Sequence, residues 1–464
     1  MDYITLFKER HIEANENYPR NDIGIAKLFY DLHSAAICYV RESKMWFTYG
    51  GKMWEKDEGG LKVMELCKRF VQSLANYAAM LDDGSDESKA YTKYTAGFHT
   101  RRKREGLLSD ARSIAPKSIT VFDRDKLIFN CQNGTLSLND MALRPHAPTD
   151  YLTKISPAEY RVGASCERWE RFIGEVMSGD TDTARFLQKA FGYCLSGETA
   201  LECFFILYGK TRTGKTTLSE TVAHVLGDYA KTIQPQTLAR RPSDGSAASP
   251  DVARLKGARL VNVPEPEKGL ELNIALVKQL TGGDTYTGRF LNENPFEFRP
   301  EFKIFINTNH LPRTDDDTIF SSERVKLIPF DRRFMPKEQD NGLKCLFREP
   351  ENMSGILNWL IAGYRLLQAE GLSIPEKVKA AIIEYQQGAD IIGHFLCECT
   401  ATHNKNRLPT TELYAAYTRW ARDNGYKPMN KTDFLEVMRC RLDIRRGGVG
   451  YVAVGLVLDC HQTQ

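Results

Sequence analysis

The sequence predicts an α/β protein with a parallel sheet flanked by helices at its centre. A mixed α+β region precedes this core, and a small domain of helices and a β-ribbon follows it. Three observations lead to this prediction. Apolar strand patterns alternate with helical patterns between about residues 200 and 334, as in parallel sheets. A strand, a glycine-rich loop and a helix follow one another at 204–226, and two amphipathic helices with a glycine-rich ribbon occupy 413–454.

The bulk composition is that of a globular protein with several domains. Of 464 residues, 42% are apolar and 27% are charged, and the formal net charge of +3 means that any basic surface is local. No apolar run of about 18 residues predicts a membrane span, and the first residues lack a secretory pattern. The 11 scattered cysteines favour reduced thiols in a cytoplasmic compartment. We predict four parts, namely 1–165, 166–340, 341–385 and 386–464.

The first part is predicted to be a mixed N-terminal adaptor region. Two aromatic runs flank Gly50-Gly51, which predicts a β-hairpin over 45–54. Short β-rich runs at 119–122 and 127–129 predict two more strands between turn signals. Helical spacing of apolar residues covers much of the remainder, so both element types contribute to this region.

Residues 209–216 match the phosphate-binding pattern G-x-x-x-x-G-K-[ST]. The apolar strand 204–208 leads into this loop, and the helix that follows points its positive end at a bound anion. Its glycines let backbone amides surround phosphate oxygens, its lysine reaches the β- and γ-phosphates, and its hydroxyl binds Mg²⁺. Kinases, GTPases and motors all share the loop. The predicted nucleotide-binding residues are Gly209, Thr211, Thr213, Gly214, Lys215, Thr216 and Thr217.

Polar residues beside three later strands are candidates to complete the site. Glu265 follows the apolar strand 259–263 and is predicted to hold Mg²⁺ together with Thr216. Asn309 ends the next apolar strand, where an amide reaches the γ-phosphate or the attacking water. Arg324 stands just ahead of a strand, where a guanidinium can serve as an arginine finger for a neighbouring subunit. Two alternatives for that role are Arg332 and Arg333.

Taken in order, these motifs resemble those of superfamily 3 helicases, in particular the phage and plasmid primase-helicase branch, which is related to poxvirus-type NTPases. The resemblance is carried by the loop 209–217, by Glu265-Pro266-Glu267-Lys268-Gly269, and by a rare Lys-x-x-Thr-Gly-Gly-Asp segment at 278–284. It continues through 305–312 to Arg324.

The resemblance implies a superfamily 3 version of the AAA+ fold. It also implies a hexameric ring with ATP between subunits, DNA in the central pore and 3′→5′ movement. Lys215 takes the role of phosphate lysine, Thr216 of Mg²⁺ hydroxyl, Glu265 of Walker B acid, Asn309 of sensor and Arg324 of arginine finger.

Two groups of basic and polar residues are predicted to contact nucleic acid. By the resemblance, a hairpin at about 284–303 grips DNA, and Lys278, Arg289 and Asn292 are the candidates there. The C-terminal helix, helix and ribbon pattern predicts a winged-helix-like domain, with Asn430 as the cap of its second helix. Its candidate phosphate contacts are Lys431, Arg439, Arg445 and Arg446. A structural or protein-binding winged helix is the alternative.

The sequence therefore predicts an ATP- and Mg²⁺-dependent DNA helicase or translocase that acts in replication of a phage, virus or mobile element. The expected partners are single-stranded or forked DNA, further copies of the chain, and a separate primase or polymerase. The Asp-x-Asp pattern at 123–125 lacks a further carboxylate or histidine partner nearby, so no primase activity is predicted. Two alternatives remain open: an ATP-switched replication initiator or adaptor, and a DNA-stimulated ATPase that does not unwind.

Overall fold

The computed structural model describes residues 2–240, 249–289, 295–314, 318–426, 428–447 and 450–459. The chain divides into two compact units. Unit 1 comprises Met1–Pro312 and Glu323–Val378, and unit 2 comprises Arg313–Ser322 and Lys379–Gln464. The four-part division predicted from the sequence stays a prediction. In the described part of the chain, no helix combines the length and the apolar character needed to cross a bilayer.

Unit 1 begins with helices around two small antiparallel sheets. The helices bury one apolar cluster that includes Phe7, Phe29 and Phe70, and strands β1–β3 and β4–β6 form the sheets. The elements are α1 Tyr3–Arg10, α2 Asp22–His33, β1 Ile37–Val40, β2 Met45–Tyr49, β3 Trp54–Asp57, α3 Leu61–Met80, α4 Asp86–Ala96, α5 Arg101–Ala111, β4 Ile128–Cys131, β5 Gly134–Ser137 and β6 Leu143–Arg144.

The predicted hairpin is confirmed and one predicted strand is wrong. Strands β2 and β3 pair antiparallel across the turn at Gly50-Gly51. Residues Ile119–Val121 form a 3₁₀ turn rather than a strand. The Ser118 hydroxyl accepts a hydrogen bond from the Thr120 amide, and the Glu42 carboxylate accepts one from the Ile119 amide. These side-chain acceptors draw the backbone out of an extended conformation.

The core of unit 1 is a five-stranded, all-parallel sheet with the order β13-β7-β12-β9-β8. Its three central strands are buried almost throughout, as expected of a parallel sheet covered on both faces. The predicted fold class is therefore confirmed. The elements are α6 Glu167–Val176, α7 Thr181–Gly192, β7 Phe204–Tyr208, α8 Lys215–Leu226, β8 Ala230–Thr232, α9 Pro250–Ala253, β9 Leu260–Val263, α10 Ile274–Thr281, β10 Tyr286–Gly288, β11 Phe296–Phe298, β12 Lys303–Thr308, α11 Thr318–Ser321, β13 Val325–Pro329, α12 Leu343–Leu346 and α13 Pro350–Glu370. Helix α11 belongs to unit 2.

Two buried cations lie at the amino ends of the central strands. Arg259, just before β9, donates hydrogen bonds to the carbonyls of Leu195 and Ile128 and lies 4.6 Å from the Tyr229 ring centre. Lys303, the first residue of β12, donates to three carbonyls, including that of Ser196. Because Ile128 opens β4, Arg259 joins the N-terminal region directly to the central sheet.

Unit 2 packs three helices on a three-stranded antiparallel sheet of order β14-β16-β15. Phe395, Tyr417 and Phe434 form an aromatic cluster in its core. The Asn430 side chain accepts hydrogen bonds from the amides of Thr432 and Asp433, so it caps the second helix as predicted. After the connecting helix α14 Glu376–Ala389, the elements are α15 Ile391–Cys399, β14 Thr400–Pro409, α16 Thr410–Asp423, α17 Lys431–Arg441, β15 Ile444–Gly447 and β16 Gly450–Leu458.

Candidate active site

The loop after β7 has a shape that only glycine permits at two positions. A Cβ atom at Gly209 would lie 2.3 Å from the Phe330 carbonyl oxygen. At Gly214, φ is +88° and a Cβ atom would lie 2.6 Å from a methyl carbon of Val176 on α6. The loop is thus fixed between β13 and α6, with its amides leading into the amino end of α8. This is the cradle that a triphosphate needs.

The Lys215 ammonium lies at the centre of this loop. It donates hydrogen bonds to the Gly209 carbonyl, to the Lys210 carbonyl at 2.9 Å and to the Thr213 hydroxyl at 3.1 Å. The Asn309 side-chain oxygen is a fourth acceptor at 3.0 Å, so four acceptors share the three ammonium hydrogens. Burial lowers the pKa of Lys215 to about 8, while the charge of Glu265 acts in the opposite direction. The loop lysine and the predicted sensor are therefore in direct contact.

The carboxyl ends of three adjacent strands bring the predicted residues together. Strand β12 lies between β7, which leads into the loop, and β9, which leads to Glu265. Glu265 and Thr216 are both exposed, so their oxygen atoms are accessible to a cation. A carboxylate and a hydroxyl beside a phosphate site suit Mg²⁺, which prefers oxygen ligands and keeps several waters. Of the other loop threonines, Thr211 is exposed and Thr217 is half-buried.

A buried pair of amides lies beneath this edge of the sheet. The Asn307 side-chain nitrogen donates to the Asn262 side-chain oxygen at 2.6 Å, which joins β12 to β9. The other oxygen of this pair, Asn307 Oδ1, is buried and has no hydrogen-bond partner among the described residues. The pair fixes the relative positions of the strands that carry Glu265 and Asn309. Sequence reasoning did not single it out, although an asparagine inside each of two apolar strands was the available signal.

A cavity of about 200 Å³ opens beside the loop. Gly214 and Arg212 border it on one side and α6 on another, and the segment after β13 closes it. Arg212 has φ of +66°, and its carbonyl accepts a hydrogen bond from the Phe334 amide at 2.8 Å. Most side chains around it are aromatic, charged or amide, namely Arg168, Phe172, Glu175, Arg212, Phe334, Glu338, Gln339, Asp340 and Asn341, and Thr217 and Leu343 complete the lining. Sequence reasoning missed this cavity, because most of its lining lies outside any motif.

Arg324 lies at the amino ends of the parallel strands, whereas the loop lies at their carboxyl ends. Strand β13 is parallel to β7 with Val325 opposite Phe204, so Arg324 is roughly 20 Å along the strands from Gly209. Its guanidinium pairs with the Glu202 carboxylate and also contacts the Thr281 hydroxyl at 3.2 Å. The structure therefore does not bring Arg324 together with Lys215 within one chain.

The alternative arginines lie after the carboxyl end of β13. Arg332 forms an ion pair of 3.2 Å with Glu338 and lies 4.7 Å from the Phe334 ring centre. Arg333 is exposed. Both therefore lie at the carboxyl ends of the strands, where the chain's own loop is, whereas Arg324 lies at the amino ends.

Strands β10 and β11, which pair antiparallel, lie in the segment that was predicted to grip DNA, and that role stays a prediction. Arg289 follows β10 and is exposed, whereas Lys278 on α10 is half-buried. Asn292 lies outside the described residues. Arg289 is therefore the candidate whose side chain is seen to reach solvent at this hairpin.

The basic candidates of unit 2 differ in their surroundings. Lys431 and Arg446 are exposed. Arg445 forms an ion pair of 2.7 Å with Asp443, and Arg439 lies 5.1 Å from the Tyr451 ring centre. The ribbon and the second helix thus both carry cations, and the charge of Arg445 is neutralised by Asp443.

Three family models match separate parts of the chain. "D5 N terminal like" matches residues 26–178, "Family of unknown function (DUF5906)" matches 207–324, and "Poxvirus D5 protein-like" matches 387–439. Two curated viral relatives agree. "Putative helicase L207/L206" of Acanthamoeba polyphaga mimivirus is 24% identical over 436 residues, which are 86% of this chain and 45% of that protein. "Putative helicase 022R" of Frog virus 3 (isolate Goorha) is 26% identical over 283 residues, 56% of this chain and 28% of that protein.

The chain resembles the D5-like primase-helicase family over these separate segments. The predicted resemblance is thereby confirmed. This D5-like chain spans about half the length, or less, of the curated relatives named above. A solved structure of the NrS-1 C-terminal region (305–718) aligns with a TM-score of 0.53 at 11% identity, over 94% of the D5-like chain and 100% of that one. A second structure of that region has a TM-score of 0.51 and covers 95% and 99%. These likenesses show a shared fold.

Proposed function

We propose that this D5-like chain is an ATP-hydrolysing helicase or translocase that acts on DNA in viral replication. One observation carries the proposal. Lys215, hydrogen-bonded to Asn309, lies at the carboxyl ends of the parallel strands, and Arg324 lies at their amino ends. Two subunits are then needed to complete one site, as in a ring motor that couples hydrolysis to movement. The names of the viral relatives support the helicase reading.

The chain's own residues divide the work at the phosphates. Backbone amides of the loop and the amino end of α8 hold the phosphate oxygens, and Lys215 neutralises charge on the β- and γ-phosphates. Thr216 and Glu265 would hold Mg²⁺, which would neutralise phosphate charge in the site. When ATP binds, Lys215 exchanges some of its carbonyl acceptors for phosphate oxygens. Asn309, already bonded to Lys215, then senses the γ-phosphate.

The cavity beside the loop suits the nucleoside end of the nucleotide. Phe172 and Phe334 supply aromatic surface, and the Gln339 and Asn341 amides supply donors and acceptors. Planar bases are held in such surroundings by stacking and a few hydrogen bonds. In this arrangement the triphosphate lies along the loop while the base lies between α6 and the segment after β13.

The movement is proposed to be 3′→5′ by a hexameric ring, with DNA held by the hairpin of β10 and β11. Arg289, which follows β10, is an exposed cation there. Unit 2 has the element order helix, strand, helix, helix, strand, strand, which supports a winged-helix domain that places basic residues on DNA phosphates. Binding of this kind depends on phosphates and is sensitive to salt.

A second function is favoured by unit 2 itself. A winged helix with Lys431 and Arg446 exposed suits an initiator that binds duplex DNA and uses ATP only to switch assembly. Such a protein would hydrolyse ATP without separating strands. A separate primase or polymerase would be the partner in either case.

Strand displacement of a 3′-tailed forked DNA with ATP and Mg²⁺ tests the proposal. Wild type is compared with Lys215→Ala and with Lys231→Ala, a matched change on β8 away from the loop. Unwinding by wild type and Lys231→Ala, but not by Lys215→Ala, is expected. DNA-stimulated ATP hydrolysis without displacement of either a 3′- or a 5′-tailed fork would overturn the helicase proposal in favour of the initiator.

A further inference from the structure

Arg324 is held by acceptors of two different kinds. One terminal nitrogen pairs with the Glu202 carboxylate. The other donates to the Thr281 hydroxyl at 3.2 Å and to the Glu202 backbone carbonyl at 3.3 Å. Glu202 has φ of +46°, an unusual backbone for glutamate, and both of its acceptors face the guanidinium. The Arg324 side chain is only 18% exposed as a result.

The Thr-Gly-Gly-Asp segment supplies some of the groups that hold Arg324. Thr281 ends α10, and its hydroxyl also donates to the Val277 carbonyl at 2.8 Å, which fixes the oxygen that faces Arg324. A Cβ atom at Gly282 would lie 2.9 Å from the Lys278 carbonyl and 3.6 Å from a terminal nitrogen of Arg324. The close approach to the Lys278 carbonyl favours a small residue here, and the Arg324 nitrogen lies within ordinary contact distance of the same helix end. This arrangement gives the rare motif a physical role that its sequence did not reveal.

The two kinds of acceptor behave differently when a phosphate approaches. Carboxylate and phosphate are both anions that guanidinium binds through paired hydrogen bonds, so a phosphate competes directly with the Glu202 side chain. The hydroxyl and the carbonyl carry no net charge and can stay bonded to the other nitrogen. Half of the guanidinium is thus oriented by neutral groups, while the other half is bonded to a replaceable anion. The Glu202 side chain is 49% exposed and has room to move away.

We propose that Glu202 and Thr281 are positioning residues for Arg324 as an arginine finger. Glu202 neutralises and holds the finger until the γ-phosphate of a neighbouring subunit replaces its carboxylate, and Thr281 keeps the guanidinium aimed during the exchange. This inference rests on the proposed function, since it needs Arg324 to act on a neighbour's ATP.

A mixing experiment first tests that premise. Lys215→Ala subunits keep Arg324 but lack a working loop, and Arg324→Ala subunits have the reverse defect. Each alone is expected to hydrolyse ATP poorly, and an equimolar mixture is expected to recover part of the activity. Full activity of Arg324→Ala alone, or no recovery on mixing, would overturn the premise and the inference together.

The ATPase kinetics of Glu202→Gln and Thr281→Val then test the positioning roles of these two residues, with Glu323→Gln as a matched control. Glu323 is next to Arg324 in sequence, but its carboxylate is 79% exposed and faces Lys326 at 3.9 Å. Without the competing charge, Glu202→Gln is expected to lower the KM for ATP roughly two- to fivefold with kcat retained. Thr281→Val is expected to lower kcat with little change in KM. The control is expected to match wild type.

A purely structural ion pair gives a different result. Glu202→Gln would then lower the melting temperature while leaving the KM for ATP equal to that of Glu323→Gln. That outcome, in a protein whose subunit mixture still recovers activity, would overturn the exchange role of Glu202 and leave the arginine finger standing.

Discussion

At the scale of single residues, Lys215 links binding to protonation. Its pKa is lowered to about 8 by burial, whereas an unfolded chain keeps the lysine protonated up to about 10.5. The folded state therefore binds fewer protons, and this group makes the free energy of unfolding rise as pH increases from about 8 to 10.5. Phosphates favour the ammonium form and raise its pKa when ATP binds.

ATP binding is therefore expected to take up a proton above pH 8, with affinity that falls as pH rises from 8 to 9. Isothermal titration calorimetry in two buffers of different ionisation enthalpy measures this uptake directly. The Lys231→Ala variant should retain it. Absence of proton uptake at pH 8.5 in wild type would contradict the assignment of the lowered pKa to the free loop lysine.

The buried pair of Asn262 and Asn307 gives a second prediction at this scale. Replacing Asn262 by Ala leaves the Asn307 amide without its 2.6 Å partner, and an unsatisfied buried group costs about 1–3 kcal/mol. Urea unfolding should show a loss of that size. A larger fractional loss of ATP hydrolysis than of folded protein is expected, because the pair holds the strands that carry Glu265 and Asn309. An unchanged unfolding midpoint would exclude the pair as a stabilising contact.

At the residue scale, the geometry of the loop and of the carboxyl ends of the strands could be expected from the sequence, whereas the contacts at the amino ends of the strands could not. The loop from Gly209 to Thr217 has its predicted surroundings because its glycine spacing fixes the backbone. The contact of Asn309 with Lys215 follows from strands that end at one edge of a parallel sheet. The contact of Glu202 with Arg324 could not be predicted from the sequence. It depends on three segments, distant in the chain, that meet at the amino ends of the strands.

At the scale of elements, packing of α6 against the loop makes Gly214 irreplaceable. Gly214→Ala is expected to abolish ATP hydrolysis, since the added methyl would meet Val176 at 2.6 Å in a backbone with φ of +88°. Gly174→Ala is the matched change within α6, where an added methyl meets nothing within 4 Å. It should keep activity and stabilise the helix by roughly 0.5–1 kcal/mol. Thermal melting measures the stability of both variants, and phosphate release measures their ATP hydrolysis. An active Gly214→Ala variant would contradict the packing argument.

The second helix and ribbon of unit 2 give a prediction about DNA. The double variant Lys431→Ala with Arg446→Ala is expected to weaken binding to unrelated DNA sequences equally, and to reduce the salt slope of affinity by about 2. Arg419→Ala, an exposed change on α16, is the control. Fluorescence anisotropy at several salt concentrations measures it. Weakening that is confined to one sequence would indicate base contacts instead.

Elements with strong periodicity can be expected from the sequence, whereas those governed by side-chain acceptors cannot. Helix α3 spans Leu61–Met80 as its apolar spacing indicates. The turn at Ile119–Val121 was predicted as a strand because its β-branched residues favour one. Hydrogen bonds that the Glu42 and Ser118 side chains accept from the backbone outweigh that preference, and Glu42 is distant in sequence.

At the scale of the whole molecule, Arg259 joins the N-terminal region to the sheet. Arg259→Met is expected to cost about 1–3 kcal/mol for each of the two carbonyls that it leaves unsatisfied. Hydrogen exchange should then show protection lost together in β4 and β9, although these strands are distant in the chain. Loss in β9 alone would mean that the N-terminal region is held by its other contacts.

The partners of Arg259 have a practical consequence at the bench. Its acceptors are neutral carbonyls and an aromatic ring within the protein interior, so dissolved ions have little with which to compete. Contacts with nucleic-acid phosphates behave in the opposite way, because they weaken steeply with ionic strength. A wash in molar sodium chloride should therefore strip bound nucleic acid during purification while the joint between the N-terminal region and the sheet stays closed.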